Sequence, residues 1–346
     1  MLATPCIATF SKGSILQRCR RYTYTTLHIF VRDLKYTGGV RCLCSAEMTN
    51  EKHMTKEDVA GLIPPLRPDA YKGQAGKIAV IGGCKEYTGA PYFAAFSALK
   101  VGADLSHVFC TEEAGPVIKG YSPELIVHPY LKENEHKDDV ERFHRAFAPW
   151  MDKFGCVVIG PGLGRNESIM NAVSRSLVEL NSRGIPIVID ADGLWLVTMD
   201  PDIIAKRCSN QKNTIVLTPN AVEYARLASA LNASSPEEVQ DKLGGPVIVC
   251  KGKEDVVVGV DGCRITCREE GSLCRVGGQG DILSGSIATF IAWNDSMIDH
   301  AAYAGCYIVR NTARIAFTKH GRSMGATDMI AELGNVMSSL EEKNHH

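Results

Sequence analysis

The chain has 346 residues, of which 45% are apolar and 22% charged, with a formal net charge of −1 at pH 7. That balance excludes the strongly basic surface that nucleic acid or an anionic membrane would require. No apolar run reaches the roughly 18 residues of a helical membrane span, and the length suits one large α/β domain with an appendage.

The first fifty residues stand apart. Lys12, Arg18, Arg20, Arg21, Arg32, Lys35 and Arg41 are set against only Asp33 and Glu47, among many Ser and Thr. This acid-poor composition is that of an organelle transit peptide, whereas a secretory signal would need an apolar core after a short basic start. Residues 1–50 are therefore expected to be a transit peptide for mitochondrion or chloroplast, the alternatives being a disordered extension or a cytosolic form begun downstream at Met48 or Met54. Residues 51–346 are expected to form a single domain.

From Lys77 a strand–loop–helix pattern recurs. Residues 77–83 read as a strand ending in glycines, followed by a helix from about Pro91 to Val101. Residues 105–110 and 156–164 are the next strands, the latter ending in Gly160, Gly162 and Gly164, with a helix from Glu167 to Asn181. Further strands fall at 185–193, 214–220 and 246–252. All are short continuous apolar runs, which suit central strands of a parallel sheet covered on both faces. The pattern predicts an α/β fold: a doubly wound, mostly parallel central sheet with helices on both faces. Residues 255–274 break it with a hairpin turning at Asp261-Gly262, and two helices follow at 301–317 and about 328–340.

The 13 cysteines are scattered and odd in number. Cys84, Cys110, Cys156 and Cys250 lie in apolar runs, where a thiol acts as a small hydrophobe. Cys263, Cys267 and Cys274 lack the paired spacing of a zinc site, so reduced thiols are expected.

Ligands of open α/β sheets bind outside the carboxyl ends of the strands. Here those ends are polar or glycine-rich repeatedly: Gly82-Gly83, Gly160 to Gly164, Asp190 and Asp192, Asn220, and Lys251 to Asp255. The familiar phosphate loops are absent, since Gly89 is followed by Ala90-Pro91 and the 160–164 glycines are not spaced GxGxxG. What remains is the stretch RVGGQGDILSGSIATFIAW (275–293). Its glycines at 277, 278 and 280 can turn backbone N–H groups toward one point, and a helix expected to begin near Asp281 adds its own unpaired N–H groups. Such an anion hole suits a transferring phosphoryl group. Asp281 is then either the helix N-cap or a base that takes a proton from an attacking hydroxyl. Other residues carry similar pairs of readings. Lys251 and Lys253 meet phosphate or form a solvated pair, and Asn220 caps a helix or offers its amide to a ligand. Glu223 is a candidate for holding Mg²⁺ through water.

GlyGlnGlyAsp (278–281) resembles the GxGD anion-hole motif of ribokinase-like kinases. Together with residues 72–109, VVIGPGLGR (157–165), PIVIDADGLWLV (186–197), LTPNAVEYARL (217–227) and KGKED (251–255), it resembles the eukaryotic ATP-dependent NAD(P)H-hydrate dehydratases over roughly 58–340. The resemblance implies a ribokinase-like fold and a repair lyase that uses ATP, with Mg²⁺, to dehydrate the S epimer of hydrated NADH or NADPH. It implies that Asp281 is the catalytic base. It assigns ATP to Lys251, Gly252, Lys253, Glu254 and Asp255, and to Gly271, Ser272, Leu273, Cys274, Arg275, Val276, Gly277, Gly278, Gln279 and Gly280. It assigns the hydrated cofactor to Gly162, to Asn220, Ala221, Val222, Glu223, Tyr224, Ala225 and Arg226, and to Asp281, with Tyr87 to Ala90 lying over it. Two departures stand out: Gln279 replaces the usual Ala of the kinases, and Lys253-Glu254 replaces a frequent Glu-Arg. A small-molecule kinase of the same fold and a passive dinucleotide-binding module are the competing readings. A homo-oligomer stays open.

Overall fold

Runs of Val and Ile build the centre of the molecule, because β-branched side chains fit a pleated surface and an unbroken apolar run can be buried on both faces. A computed structural model describes residues 51–133, 137–205 and 214–341. By its contacts the chain separates into Met1–Glu51 and Lys52–His346. The expected transit segment, residues 1–50, lies outside the described residues.

In chain order, β1 (Glu51–Lys52) and α1 (Lys56–Ala60) precede the repeating pattern. β2 (Lys77–Ile81), α2 (Gly89–Val101), β3 (Leu105–Thr111), α3 (Ala114–Tyr121), β4 (Ile126–Leu131) and α4 (Lys137–Met151) follow. Next come β5 (Cys156–Ile159), α5 (Glu167–Ser182), β6 (Ile187–Ile189), α6 (Asp192–Met199), α7 (Asp202–Ala205), β7 (Ile215–Leu217), α8 (Ala221–Leu231) and α9 (Pro236–Lys242). The last group is β8 (Val247–Cys250), β9 (Asp255–Val258), β10 (Arg264–Cys267), α10 (Gln279–Trp293), α11 (Ile298–His320) and α12 (Ala326–Glu341). From β10 to β4 the sheet order is β10-β9-β8-β7-β6-β5-β2-β3-β4. β8 through β4 pair in parallel, and β9 and β10 join antiparallel.

Alternation along each strand divides the core in two. Ile78, Val80, Cys156, Val158, Val188 and Val216 face a cluster filled by α2, α10, α11 and α12. Ala79, Ile81, Val157, Ile159, Ile187, Ile189, Ile215 and Leu217 face a second cluster holding Phe143 and Phe147 of α4, Leu177 of α5 and Leu194 of α6. Helices on both faces of a mostly parallel sheet are the expected doubly wound α/β architecture. The hairpin also forms where expected, with Arg264 opposite Val258 and Gly262 at φ 72° in its turn. Among the described residues, Cys84, Cys110, Cys156, Cys250, Cys263, Cys267, Cys274 and Cys306 are free thiols. No described helix is long and apolar enough to cross a membrane.

Two differences from the sequence reading have clear causes. β4 was hidden by His128 and Pro129, yet it is the sheet's outermost strand, where a missing N–H is tolerated. α3 and α4, which flank β4 in the chain, likewise lie outside the regular strand–helix pattern of the sequence. Second, α10 starts at Gln279, not at Asp281. Gly278 is its N-cap at φ 98°, which a side chain would resist twice over: a Cβ there would stand 2.7 Å from Phe93 Cδ2 and 2.8 Å from Ala326 Cβ. Asp281 is therefore not the cap; it is the third residue of the helix, in its first turn.

Candidate active site

Because β8, β7, β6, β5 and β2 are adjacent and parallel, their carboxyl ends fall along one edge. Lys251 follows β8, Thr218-Pro219-Asn220 follow β7, Asp190 follows β6 and Gly160 follows β5. Backbone bonds tie these exits together: the Lys251 N–H donates to the Pro219 carbonyl (2.9 Å) and the Asp190 N–H to the Ile159 carbonyl (3.0 Å). Ala191 lies just beyond, at φ 47° and ψ −118°, a left-handed conformation strained for a residue with a Cβ.

Four charged groups meet here. Lys251 Nζ is 2.8 Å from Asp190 Oδ1 and 3.9 Å from Glu223 Oε2, and Asp190 is buried. The first turn of α10 rests on this pair: a Cβ on Gly280 would come within 3.3 Å of Lys251 Nζ and 3.7 Å of Asp190 Oδ2. Asp281, the next residue, feels all three. Burial pushes its carboxyl well above the usual carboxylate range; Asp190 and Glu223 repel its charge further, and Lys251 only partly offsets them. Glu223 is also raised, first by burial, against the pull of Lys251 and of the Asn220 N–H. Burial alone would lower Lys251, but Asp190, Glu223 and Asp281 outweigh it and hold the ammonium above its ordinary value. Lys251 is thus engaged by carboxylates at the strand edge. Lys253 is exposed.

The start of α8 is fixed by a reciprocal cap. Asn220 Oδ1 accepts from the N–H groups of Val222 (2.9 Å) and Glu223 (3.0 Å), while Glu223 Oε2 accepts from the Asn220 N–H (2.8 Å). This cap holds Glu223 3.9 Å from Lys251. Ala221, Val222 and Ala225 are exposed on the helix, and Tyr224 packs its ring against the second core cluster rather than into the charged group. Arg226 lies over the ring of Trp195. Gly160 allows the 160–164 loop to cross Asp190, since a Cβ there would fall 1.8 Å from the Asp190 carbonyl oxygen. Gly162, at φ 59°, lies against Tyr87, whose carbonyl oxygen is 2.7 Å from the place of its missing Cβ. The Tyr87–Ala90 segment and the glycine loop are therefore neighbours.

The KGKED loop has a support that sequence reading missed. Buried Arg310 of α11 donates through Nε to Asp255 Oδ2 (2.6 Å), through Nη1 to the carbonyls of Lys253 (2.8 Å) and Glu269 (3.1 Å), and through Nη2 to that of Gly252 (3.0 Å). Asp255 Oδ1 accepts from the Gly252 N–H at 3.0 Å. Both Asp255 oxygens therefore hold the loop, and Asp255 is a positioning residue. Replacing Arg310 with Lys keeps the charge but cannot reproduce the fork. Arg310→Lys is expected to cost about 2 kcal/mol of unfolding free energy in urea titration.

The 271–280 segment borders a cavity of ≈ 650 Å³ lined by Leu273, Cys274, Arg275, Val276 and Gly277 with Phe317, Arg322 and Met324. The last three were not singled out from sequence. Gly271 lies beside Arg310, Ser272 Oγ donates to the Cys274 carbonyl (2.7 Å), and the Gln279 N–H donates to that of Val276 (3.3 Å). Gly277 has open space around it, and Gly278 and Gly280 shape the helix start. Glu254 is 3.7 Å from Arg268.

The sequence profile of the NAD(P)H-hydrate dehydratases matches residues 78–335, which include every residue of this charged group. The ATP-dependent (S)-NAD(P)H-hydrate dehydratase of Danio rerio is 44% identical over 306 residues, covering 82% of this chain and 88% of the relative. The chain belongs to the NAD(P)H-hydrate dehydratase family. The same-named proteins of Homo sapiens (87% of this chain, 88% of the relative) and Arabidopsis thaliana (87% and 90%) are each 43% identical. Among solved structures, a ribokinase-like superfamily protein of Enterococcus faecalis aligns with TM-score 0.71 at 19% identity, covering 88% of this chain and 99% of its own. The ADP/ATP-dependent NAD(P)H-hydrate dehydratase of Bacillus subtilis, co-crystallised with ATP/Mg²⁺, aligns with TM-score 0.61 at 22% identity, covering 84% and 97%. These neighbours show that this family member has the ribokinase-like fold.

Proposed function

We propose that this chain uses ATP to dehydrate the S epimer of hydrated NADH or NADPH, restoring the reduced cofactor. The reading rests on one combination: membership of this family, with a desolvated carboxylate, Asp281, in the first turn of a glycine-led helix. Asp281 accepts the proton of the ring hydroxyl as its oxygen attacks the γ-phosphorus and the bond to ADP breaks. Backbone N–H groups at the α10 start face the charge that develops on the phosphoryl oxygens. The phosphate then leaves with the C–O bonding electrons, pushed by the ring nitrogen lone pair. Loss of a proton from the neighbouring ring carbon completes the double bond. A carboxylate whose proton affinity is raised by burial is the better base for the first step.

Mg²⁺ fits the donor set, because three carboxylates, Asp190, Glu223 and Asp281, surround a single ammonium, that of Lys251. Glu223 and Asp190 are the residues that would hold it, and bound Mg²⁺ neutralises phosphate charge. ATP is placed at Lys251–Asp255 and along Gly271–Gly280, over the cavity that Phe317, Arg322 and Met324 help to line. We place the hydrated cofactor across Gly162, α8 and Asp281. The first fifty residues are proposed as an organelle-targeting extension, on their composition.

The test uses protein begun at Met54, hydrated NADH of the S configuration, Mg²⁺ and ATP. Return of the near-ultraviolet absorbance of the reduced ring, dependent on ATP and with phosphate released, is the expected result. A stable phosphoester in its place would make the chain a small-molecule kinase. No reaction from folded protein would reject the dehydratase reading.

A further inference from the structure

We propose that Arg165, Trp195 and Arg226 form an anion subsite that takes a phosphate group of the dinucleotide substrate. The proposal rests on the dehydratase reading and adds to it Trp195, a role for Arg165 at the end of the glycine loop, and the substrate group that Arg226 meets. Arg165 ends the loop that follows β5, and its Nε donates to Asp192 Oδ1 at 3.0 Å. The same carboxylate accepts from the Gly164 N–H at 3.0 Å through Oδ2, so loop and arginine are anchored as a unit. Asp192 opens α6, and one turn along that helix stands Trp195. The Arg165 guanidinium carbon lies 4.4 Å from the centre of the indole, and that of Arg226 lies 5.2 Å from it. An aromatic face attracts cations, so one ring orients both.

Two guanidinium groups held against one ring repel each other; Asp192 pairs with Arg165 and Glu223 lies within the field of Arg226, yet most of their N–H donors are unused. Among the described residues, Arg226 donates no hydrogen bond and the Nη atoms of Arg165 donate none. A guanidinium offers five N–H donors in a planar fork that matches phosphate oxygens. Their place selects which phosphate. Arg226 is one helical turn from Glu223, which stands 3.9 Å from Lys251 beside Asp281. The pair therefore flanks the charged group on the β5–β6–β7 side, whereas the loops proposed for ATP lie on the β8, α10 and α11 side. With the hydrated ring at Asp281, the diphosphate of the dinucleotide, or the 2′-phosphate of the NADP form, reaches this side.

The experiment compares wild type, Arg165→Met and Arg165→Lys on hydrated NADH, hydrated NADPH and ATP. Methionine keeps an apolar stem on Trp195 and removes the charge. Arg165→Met is expected to raise KM for the hydrated substrate roughly 10- to 100-fold with a small change in kcat, as loss of a charged hydrogen bond implies. Arg165→Lys is expected to recover part of it, and KM for ATP to stay within twofold. Equal losses on both substrates assign the diphosphate; a loss confined to hydrated NADPH assigns the 2′-phosphate. Unchanged KM for both, or a rise in KM for ATP instead, overturns the subsite. Quenching of Trp195 fluorescence by hydrated NADPH, referred to a Trp195→Phe control, reads binding without turnover. Should wild type prove inactive, the dehydratase reading falls. A quench that weakens tenfold or more in Arg165→Met still upholds the subsite, and an equal quench rejects it.

Discussion

Asp281→Asn is expected to lose ATP-driven recovery of the reduced cofactor by about 10²- to 10⁴-fold in kcat, the usual contribution of a positioned proton acceptor. It is also expected to melt at a higher temperature than wild type. The two effects share one cause. Asparagine matches the shape of aspartate in the first turn of α10 but cannot take the hydroxyl proton. It also removes a charge that burial, Asp190 and Glu223 all disfavour. The sign of the pH dependence follows: a carboxyl whose affinity is raised in the fold binds more protons folded than unfolded. Its favourable contribution is present below the unfolded value, roughly pH 4, and is lost as pH rises through the folded one. The gap in melting temperature between Asn and Asp proteins should therefore widen from pH 5 to pH 8. KM for ATP should hardly move, because the proposed ATP contacts at Lys251–Asp255 and Leu273–Gly277 remain. A variant with kcat within threefold of wild type would falsify the base role. One that melts lower at pH 8 would show that Asp281 stabilises the fold rather than straining it.

Most of the sheet and its ligand edge were legible because they depend on local pattern. A parallel strand buried on both faces must be a short apolar run, and a strand exit that bears a ligand must break that run with Gly, Asp or Lys. Residues 77–83, 156–164, 185–193 and 246–252 do both, and 214–220 does so with Asn220. The missing parts depend on partners distant in sequence. Arg310 lies in α11, a helix buried on nearly every side, and nothing local tells that its fork closes on Asp255, 55 residues earlier. Lys251 and Asp190 were both visible at strand exits, but their pairing spans 61 residues and is set by sheet order. That pairing adds to the chemistry: half-buried Lys251 is a counter-ion to Asp190, while Lys253 is exposed. Trp195 reads from sequence as an ordinary apolar member of α6; only folding sets it beside two arginines from separate segments.

Lys251→Met is expected to be among the most destabilising single changes in the molecule, at about 3–5 kcal/mol at neutral pH, the cost of leaving buried carboxylates without their cation. Methionine can fill the space of the lysine stem, so the loss is one of charge rather than of volume. Asp190, with its side chain only 3% exposed, is left without its partner 2.8 Å away, and Glu223 and Asp281 are left facing it. In wild type the ammonium is held above its ordinary value, so its stabilisation is complete at neutral pH and fades only as pH rises through that raised value. In the variant Glu223 and Asp281 lose the ammonium that offsets their burial, so both bind protons still more tightly folded than unfolded. Its stability should therefore fall as pH rises from 5 to 8, more steeply than that of wild type. Urea titrations at both ends of that range measure the difference. Adding Asp190→Asn removes the most buried of the unpaired charges, and the double variant should recover part of the loss. Wild type and Lys251→Met differing by the same amount at pH 5 and pH 8 would mean that packing, not charge, sets the cost. The expected result makes the ion pair the structural condition for Asp281. Lys251 lets three acidic groups share one strand edge, and by only partly satisfying Asp281 it leaves that carboxylate with the raised proton affinity that the first chemical step uses.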